Sequence, residues 1–396
     1  MKSRLIGGLL LVVGTSIGGG MLALPIANAA MGFWQSSFFL LLCWAIMTCG
    51  ALLLLEVTLY FPSGSNMLTM AHGTLGKPGL VVAWSSYLFL LYTLLCGYIS
   101  GGADVFANLA DYIHMTLKPW QASTLFTIVF GSVVYGGISR VDWVNRALMF
   151  GKLGIYILLV ILIAPQTQSK NWQGGDYHVI SEVVMLMVTA FGFAIIIPSL
   201  RIYFEDNTKA LHQIVVIGSL IPLICYILWD GIIIGSLPSY GPDGLTSLMQ
   251  NPRPTSSLAI LLSNTLHNPI VTTFFNGFTS ICMLTAFLGV ALCLVSFFAD
   301  GLKMGTQGKD SLQLMIISLL PPLGVVLFFP GAYMRALSYA GIFCVILLLL
   351  LPACMVIKGR KKFSSPYVAP GKLVIPYVLI AISCLLLLNE SMHLLM

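Results

Sequence analysis

Hydrophobic positions in this chain do not alternate with polar ones at the strand period, nor do they form one stripe at the helical period. They run on for about twenty residues between short polar links, and about twenty apolar residues are what a helix needs to cross the hydrocarbon of a bilayer. Eleven such stretches occur, at about 5–30, 33–61, 79–113, 121–138, 147–165, 178–200, 210–237, 270–299, 312–330, 335–357 and 373–395. The pattern predicts an all-α membrane protein with eleven transmembrane helices in a single transmembrane domain over residues 1–396. The longest link is about 238–269, and within it Leu258–Leu266 reads as a short amphipathic helix. The first stretch imitates a secretory signal, with Lys2 and Arg4 ahead of an apolar run and Ala27-Asn28-Ala29 after it. That run is too long for a signal core and contains Pro25, so it reads as a membrane helix.

Composition strengthens this picture. Hydrophobic residues make up 58% of the 396 and charged residues 8%, against roughly 25% charged in a soluble chain. So little charge could not cover a surface in water, which excludes a soluble enzyme, a nucleic-acid binder and a disordered scaffold. The net charge of +6 is spread over short links rather than gathered on one face. Those links carry Lys and Arg unequally: fourteen on one side of the bilayer, four on the other and Lys152 inside a helix. The bias predicts a cytoplasmic N-terminus and, after eleven crossings, a C-terminus on the outer side. The nine cysteines lie in apolar runs without a CxxC pair, and the six histidines are scattered, so neither a metal nor a cofactor is expected. No GxSxG, phosphate-binding loop or HExxH pattern points to an enzyme.

The first and sixth stretches share an irregularity. The first reads Gly14-Thr15-Ser16-Ile17-Gly18-Gly19-Gly20-Met21-Leu22-Ala23-Leu24-Pro25, the sixth Thr189-Ala190-Phe191-Gly192-Phe193-Ala194-Ile195-Ile196-Ile197-Pro198. Gly19 precedes Pro25 by six positions and Gly192 precedes Pro198 by six. The sixth stretch begins five helices after the first, so the two enter the membrane from opposite sides. Paired interrupted helices in matching positions of two halves point to a transporter binding site. Unwound N–H groups at Gly18, Gly19 and Gly20, at the positive end of the following half-helix, suit a carboxylate. Carbonyls near Thr15 and Phe191 suit an amine, and Ser16 and Met21 flank the glycines. One break thus offers both ends of a zwitterion. Aromatic and neighbouring groups add a place for a flat ring: Phe191 and Phe193 around Gly192, Tyr92, Cys96 and Ile99 on one face of the third helix, and Thr285, Phe287, Leu288 and Gly289 on the eighth. Residues at such spacing are also ordinary core, and both readings stand at this point.

Ionisable residues within the bilayer are candidates for function. Lys152 lies in the fifth stretch and Glu56 at similar depth in the second; Asp104 and Asp230 lie towards the outer ends of the third and seventh. A buried lysine can lose its proton near neutral pH, or its ammonium can occupy a cation site. The alternative is a structural pair of Lys152 with Glu56 or with a backbone carbonyl. Asp104 and Asp230 read as helix links or as a proton path.

Six motifs carry a likeness to a known family: GTSIGGGMLALP (Gly14–Pro25), LLLLEV (Leu52–Val57), YISGGAD (Tyr98–Asp104), FGFAIIIPSL (Phe191–Leu200), FLGVALCL (Phe287–Leu294) and LLPPL (Leu319–Leu323). Together they make the chain resemble the hydroxy and aromatic amino acid permeases of the amino acid–polyamine–organocation superfamily, most closely bacterial tyrosine-specific permeases. The resemblance implies a LeuT-type fold: repeats at about 5–165 and 178–357, inverted relative to each other, an extra helix at about 373–395, and discontinuous first and sixth helices. It implies a bacterial inner-membrane symporter that takes up an aromatic amino acid, tyrosine foremost, with a proton as second partner. It also implies that Lys152 stands where sodium-coupled relatives hold sodium, between the first, fifth and eighth helices; Glu56, from its position in the bilayer, is the second coupling candidate. Thr285 and Ala286 fall where those relatives place hydroxyls. Ala194 departs from the family, which often has a polar residue, commonly histidine, there. Tryptophan, phenylalanine or broader neutral substrates, sodium coupling and a passive channel are the competing readings.

Overall fold

The structure is a computed structural model describing residues 2–112, 114–176, 178–241, 244–305 and 308–395. The described residues are helical almost throughout. The chain opens with α1 (Lys2–Ser16) and α2 (Gly19–Asn28), bent by 53° across Ile17 and Gly18. Three consecutive glycines explain the position of the break, since each is less favourable in a helix than alanine by roughly 1 kcal/mol. Pro25 lies inside α2, where its missing N–H and its ring loosen the turn before it.

Helices α3 (Phe33–Thr58), α4 (Met67–Leu75), α5 (Lys77–Tyr112), α6 (Pro119–Tyr135) and α7 (Ile138–Ile163) follow. Short 3₁₀ turns at Ala164–Gln166 and Ser169–Trp172 lead to α8 (Ile180–Ala190), a 3₁₀ stretch (Gly192–Ile196) and α9 (Ile197–Tyr203). Next come α10 (Thr208–Ser236), a 3₁₀ turn (Leu245–Gln250), α11 (Pro254–Leu266), α12 (Pro269–Leu302) and α13 (Gly308–Phe328). The chain closes with α14 (Tyr333–Cys344), a π-helical turn (Val345–Leu350), α15 (Leu351–Gly359) and α16 (Val374–Leu395).

Among the described residues nine helical spans are long and apolar enough to cross a membrane, ten with the bent α1–α2 pair counted as one. The fourth expected stretch, 121–138, corresponds to α6, which has 17 residues. The helix expected at Leu258–Leu266 is present and starts earlier, at Pro254, while α4 lies in a link that the hydropathy pattern leaves blank. Helices that are apolar on every side must pack by close approach rather than by a hydrophobic stripe. Gly341 of α14 shows this. A methyl group there would lie 2.3 Å from the Met185 carbonyl oxygen of α8.

The two interruptions differ in kind. The first is open: Gly18 is extended (φ −154°, ψ −150°) and the axis turns. The second tightens instead, winding as a 3₁₀ helix from Gly192 to Ile196. Both expected interruptions are present as breaks in the α-helix, that of the first stretch through an extended residue and that of the sixth through a change of winding. A single Gly192 weakens the α-helix without abolishing i→i+3 bonding, as the bond from Ile197 N–H to the Ala194 carbonyl shows.

Candidate functional site

The two interruptions meet. A methyl at Gly20 would lie 3.3 Å from Cα of Ala190, the last residue of α8, and glycine permits that approach. Gly19 and Gly20 head the first turn of α2, so their N–H groups have no acceptor within the helix. From Ser16 to Gly32 the chain is buried, whereas Thr15 is exposed.

Three side chains hold the carbonyls around the break. The Lys152 ammonium donates to Ile17 O at 2.6 Å and to Gly14 O at 3.4 Å. It is 1% exposed, and among the described residues no carboxylate lies within ion-pair distance of it. A cation at the C-terminal end of α1 also meets the negative end of that helix's dipole. The Tyr226 hydroxyl of α10 lies 2.6 Å from Ser16 O and 2.9 Å from Ala190 O. One phenol proton is thus shared by the last residues of α1 and α8. Tyr333 of α14 donates to Gly19 O. The Tyr98 ring of α5 closes the remaining side, with two ring carbons within 3 Å of where a Gly19 methyl would stand, and Met283 Sδ of α12 lies at 3.4 Å from the same point.

The other expected site residues divide. Phe191 is fully buried with its ring centre 5.1 Å from that of Tyr226; Phe193 and Met21 are buried as well. Gly192 has only the Cys344 sulfur and a Leu348 methyl near where its methyl would be. Thr15 and Ser16 turn their hydroxyls back to Leu11 O and Val12 O of their own helix. Tyr92 and Cys96 face α13 instead of the break. The Tyr92 hydroxyl donates to Ile317 O at 2.8 Å, the carbonyl that Pro321, four residues on, leaves without its helical partner. Cys96 Sγ reaches Pro322 O. Ile99 is core. On α12, Thr285 bonds to Ile281 O of its own helix, Phe287 packs edge-on against Phe126 of α6, and Leu288 is buried. The α12 side chains near the glycines are Met283 and Ala286.

Glu56 and Lys152 do not pair. The Glu56 carboxylate takes both guanidinium arms of Arg360, at 2.7 and 2.6 Å, the Tyr60 hydroxyl at 2.6 Å and the Ala369 N–H at 2.7 Å. The hydrogen bond to Glu56 pushes Arg360 further above its already high range, and burial together with Glu56 pushes the Tyr60 phenol up. Asp104 is the helix link anticipated for it. It accepts the Ser256 N–H at 3.0 Å, the Thr255 hydroxyl at 2.6 Å and the Ser256 hydroxyl, so it caps the first turn of α11. Beside that cap, a cavity of about 260 Å³ lies between α5, α11 and α12, lined by Asn108, Asn276, Thr279 and Ser280 among others. Thr279 precedes Met283, which lies against Gly19, by one helical turn.

A family model described as the tryptophan/tyrosine permease family matches residues 1–390. The chain belongs to that family. It is 33% identical over 388 residues to tyrosine-specific transport system 1 of Haemophilus influenzae, covering 96% of this chain and 94% of the relative. It is 29% identical to glutamine transporter 2 of Aliivibrio fischeri, with 91% of each covered. To a tryptophan-specific transport protein of Pseudomonas aeruginosa it is 27% identical, with 92% and 88% covered. The protein is a multi-pass membrane transporter of amino acids, and not an enzyme. For a permease of this family the residues that sequence reasoning passed over are Tyr98, Tyr226, Tyr333 and Met283. Each sits in an otherwise apolar stretch, and a buried phenol has to find an acceptor; that requirement is the one sequence signal that marks Tyr226 and Tyr333.

Proposed function

We propose that this permease takes up an aromatic amino acid, tyrosine foremost, by secondary active transport coupled to inward proton flow. It would act by alternating access in the bacterial inner membrane, with the N-terminus cytoplasmic and the C-terminus periplasmic. In this reading α6 completes eleven crossings. Residues about 5–165 and 178–357 form two inverted repeats of LeuT type, with α16 added.

The observation that carries the proposal is the glycine break against Ala190, ringed by Tyr98, Tyr226, Tyr333 and Phe191. The N–H groups of Gly18, Gly19 and Gly20 receive the substrate carboxylate. Carbonyls of Thr15 and Phe191 receive the amine, beside the carbonyls already held by Lys152 and Tyr226. The side-chain ring lies among Tyr98, Phe191 and Met283, which provide apolar burial and ring contact. The names of the tyrosine- and tryptophan-specific relatives support an aromatic substrate, tyrosine at 33% identity ahead of tryptophan at 27%, while the glutamine transporter at 29% supports the broader neutral reading. Lys152 is the coupling group. While charged it holds Ile17 and Gly14; once deprotonated it loses the charge that fixes the end of α1, which frees α1 to swing. The cavity beside α11 serves as the outer approach to the site.

Competition uptake in proteoliposomes tests this. Labelled tyrosine should accumulate with an inward proton gradient and should be displaced by tyrosine, phenylalanine and tryptophan but not by leucine. Accumulation driven by sodium alone would remove proton coupling, and equal displacement by leucine would remove aromatic selectivity.

A further inference from the structure

Asp230 of α10 has no exposed surface, and neither has Asn28, the last residue of α2. The Asn28 amide donates to Asp230 Oδ2, and that is the only partner the carboxyl has among the described residues. Asp230 Oδ1 and Asn28 Oδ1 are both buried with nothing to bond. Both leftover atoms are acceptors, so as a carboxylate and an amide the pair is one donor short. A bare carboxylate buried with a single neutral donor is among the most unfavourable arrangements a protein can hold. One proton on the carboxyl removes the charge and turns an idle acceptor into a donor for Asn28 Oδ1. The two side chains then match as an acid–amide pair with two hydrogen bonds.

The surroundings offer no other source of balance. The elements packed against α10 are α1, α2, α3, α7 and the two 3₁₀ turns after α7, with α12 against Trp229 and the end of α8 against Tyr226. Of these, α12 brings Cys282, Cys293 and Asp300, and α8 brings Glu182 in its first turn. No residue of α2 is ionisable, and α1 has only Lys2 and Arg4, at its opposite end. On α3, Glu56 is bonded to Arg360, and Cys43 and Cys49 are its other titratable groups. On α7, Lys152 holds Ile17 O, while Arg140, Asp142 and Arg146 lie in the first turns. The α7 group that faces Asp230 is Tyr156, whose hydroxyl is given to Cys225 O at 3.0 Å. Lys170 of the second turn is exposed. The segment after it brings Asp176, which accepts the His178 N–H. Lys209, His212, Cys225 and Tyr226 are the remaining titratable groups of α10 itself. Among the described residues no Lys, Arg or His pairs with Asp230.

We propose that Asp230 and Asn28 form a second proton-binding site, and that a proton there clamps α2 to α10. The proposal rests on the proton-symport reading above. With N-terminus inside, the pair lies in the outer half of the bundle. A protonated Asp230 holds α2 against α10, the arrangement seen here. An ionised Asp230 is better served by water, so losing the proton favours parting α2 from α10 and opening the site outward. A proton arriving from outside would therefore be needed to close the site behind the substrate.

Infrared spectroscopy of the full chain in lipid, with and without carbon-13 aspartate, tests this directly. Asp104 already has three donors, so the protonated aspartate carbonyl band expected at neutral pH belongs to Asp230. That band should shift with the label, vanish in Asp230→Asn and persist in Asp104→Asn. The same Asp230→Asn protein should lose the dependence of uptake on outside pH, since its amide mimics the protonated acid. Absence of a labelled band in the wild type overturns the proposal even if no variant folds. A band that appears only when sodium is removed also overturns it, in favour of a cation site. An unchanged pH profile in Asp230→Asn overturns the clamp. A band that behaves as expected, in a protein whose uptake ignores the proton gradient, would instead overturn the symport reading and leave the proton site standing.

Discussion

Glu56 and Asp230 are both carboxylic acids without exposed surface, placed near opposite ends of the bundle, and their surroundings could hardly differ more. Around Glu56 four donors converge: two from Arg360, one from Tyr60 and one from the Ala369 main chain. Around Asp230 there is one, from Asn28, and two acceptors remain idle. A buried charge whose every lone pair is engaged is a rivet, fixed in one protonation state. One with too few donors is poised to change state. Lys152 falls between the two, hydrogen-bonded to Ile17 and Gly14 yet without a carboxylate among the described residues. The comparison separates the residue that fastens α3 to the segment after α15 from those able to move a proton.

The strongest way to break this contrast is Arg360→Ala. It strands the Glu56 charge and should destabilise the protein by about 3–5 kcal/mol, the usual result of removing one partner from a buried pair. A thermal unfolding midpoint close to wild type would show that Glu56 is not held as described. Next comes Tyr226→Phe, which leaves Ser16 O and Ala190 O without their shared donor. We expect a loss of about 1–3 kcal/mol and slower tyrosine uptake, measured by thermal unfolding and by initial rates. Lys152→Met removes a charge together with its burial, so stability should change by only about 1 kcal/mol. Transport should respond more than stability: uphill accumulation under a proton gradient is lost while exchange persists. Accumulation equal to wild type would take Lys152 out of coupling. The smallest expected effect is Asp230→Asn, in which an amide–amide pair keeps both hydrogen bonds. A stability change under about 1 kcal/mol, set beside the large one for Arg360→Ala, would sharpen the comparison; a larger loss than Arg360→Ala would reverse it.

Depth in the membrane was legible in the sequence and direction was not. Uninterrupted apolar runs locate most spans to within a few residues, the fifth excepted, whose helix starts at Ile138 rather than near 147 because Arg140, Asp142 and Arg146 interrupt the apolar run. Gly18-Gly19-Gly20 locates the first break, because three glycines weaken a helix wherever they fall. A helix that is apolar all round carries no periodic signal for which face looks inward. Tyr92 and Cys96 were thus indistinguishable from site residues by spacing, although they complete α13 at its prolines. For the same reason Tyr98, in the very motif that carried the family likeness, gave no sign that its ring covers Gly19. Pairings across the chain are hidden for a different reason. Arg360 lies 304 residues from Glu56, and only the fold brings them together. Winding is equally a tertiary matter, since Gly192 and Pro198 match the first break in spacing, yet Gly192 starts a 3₁₀ stretch and Pro198 lies in the first turn of α9.

The central claim is that the glycine break between α1 and α2, pressed against Ala190, grips the substrate. Binding of labelled tyrosine to purified Gly19→Leu protein tests it most directly, with wild-type-like thermal unfolding as the check on folding. The leucine side chain would displace Tyr98 and fill the carboxylate position, so folded protein should show no saturable binding. Tyrosine binding of wild-type strength would contradict the account.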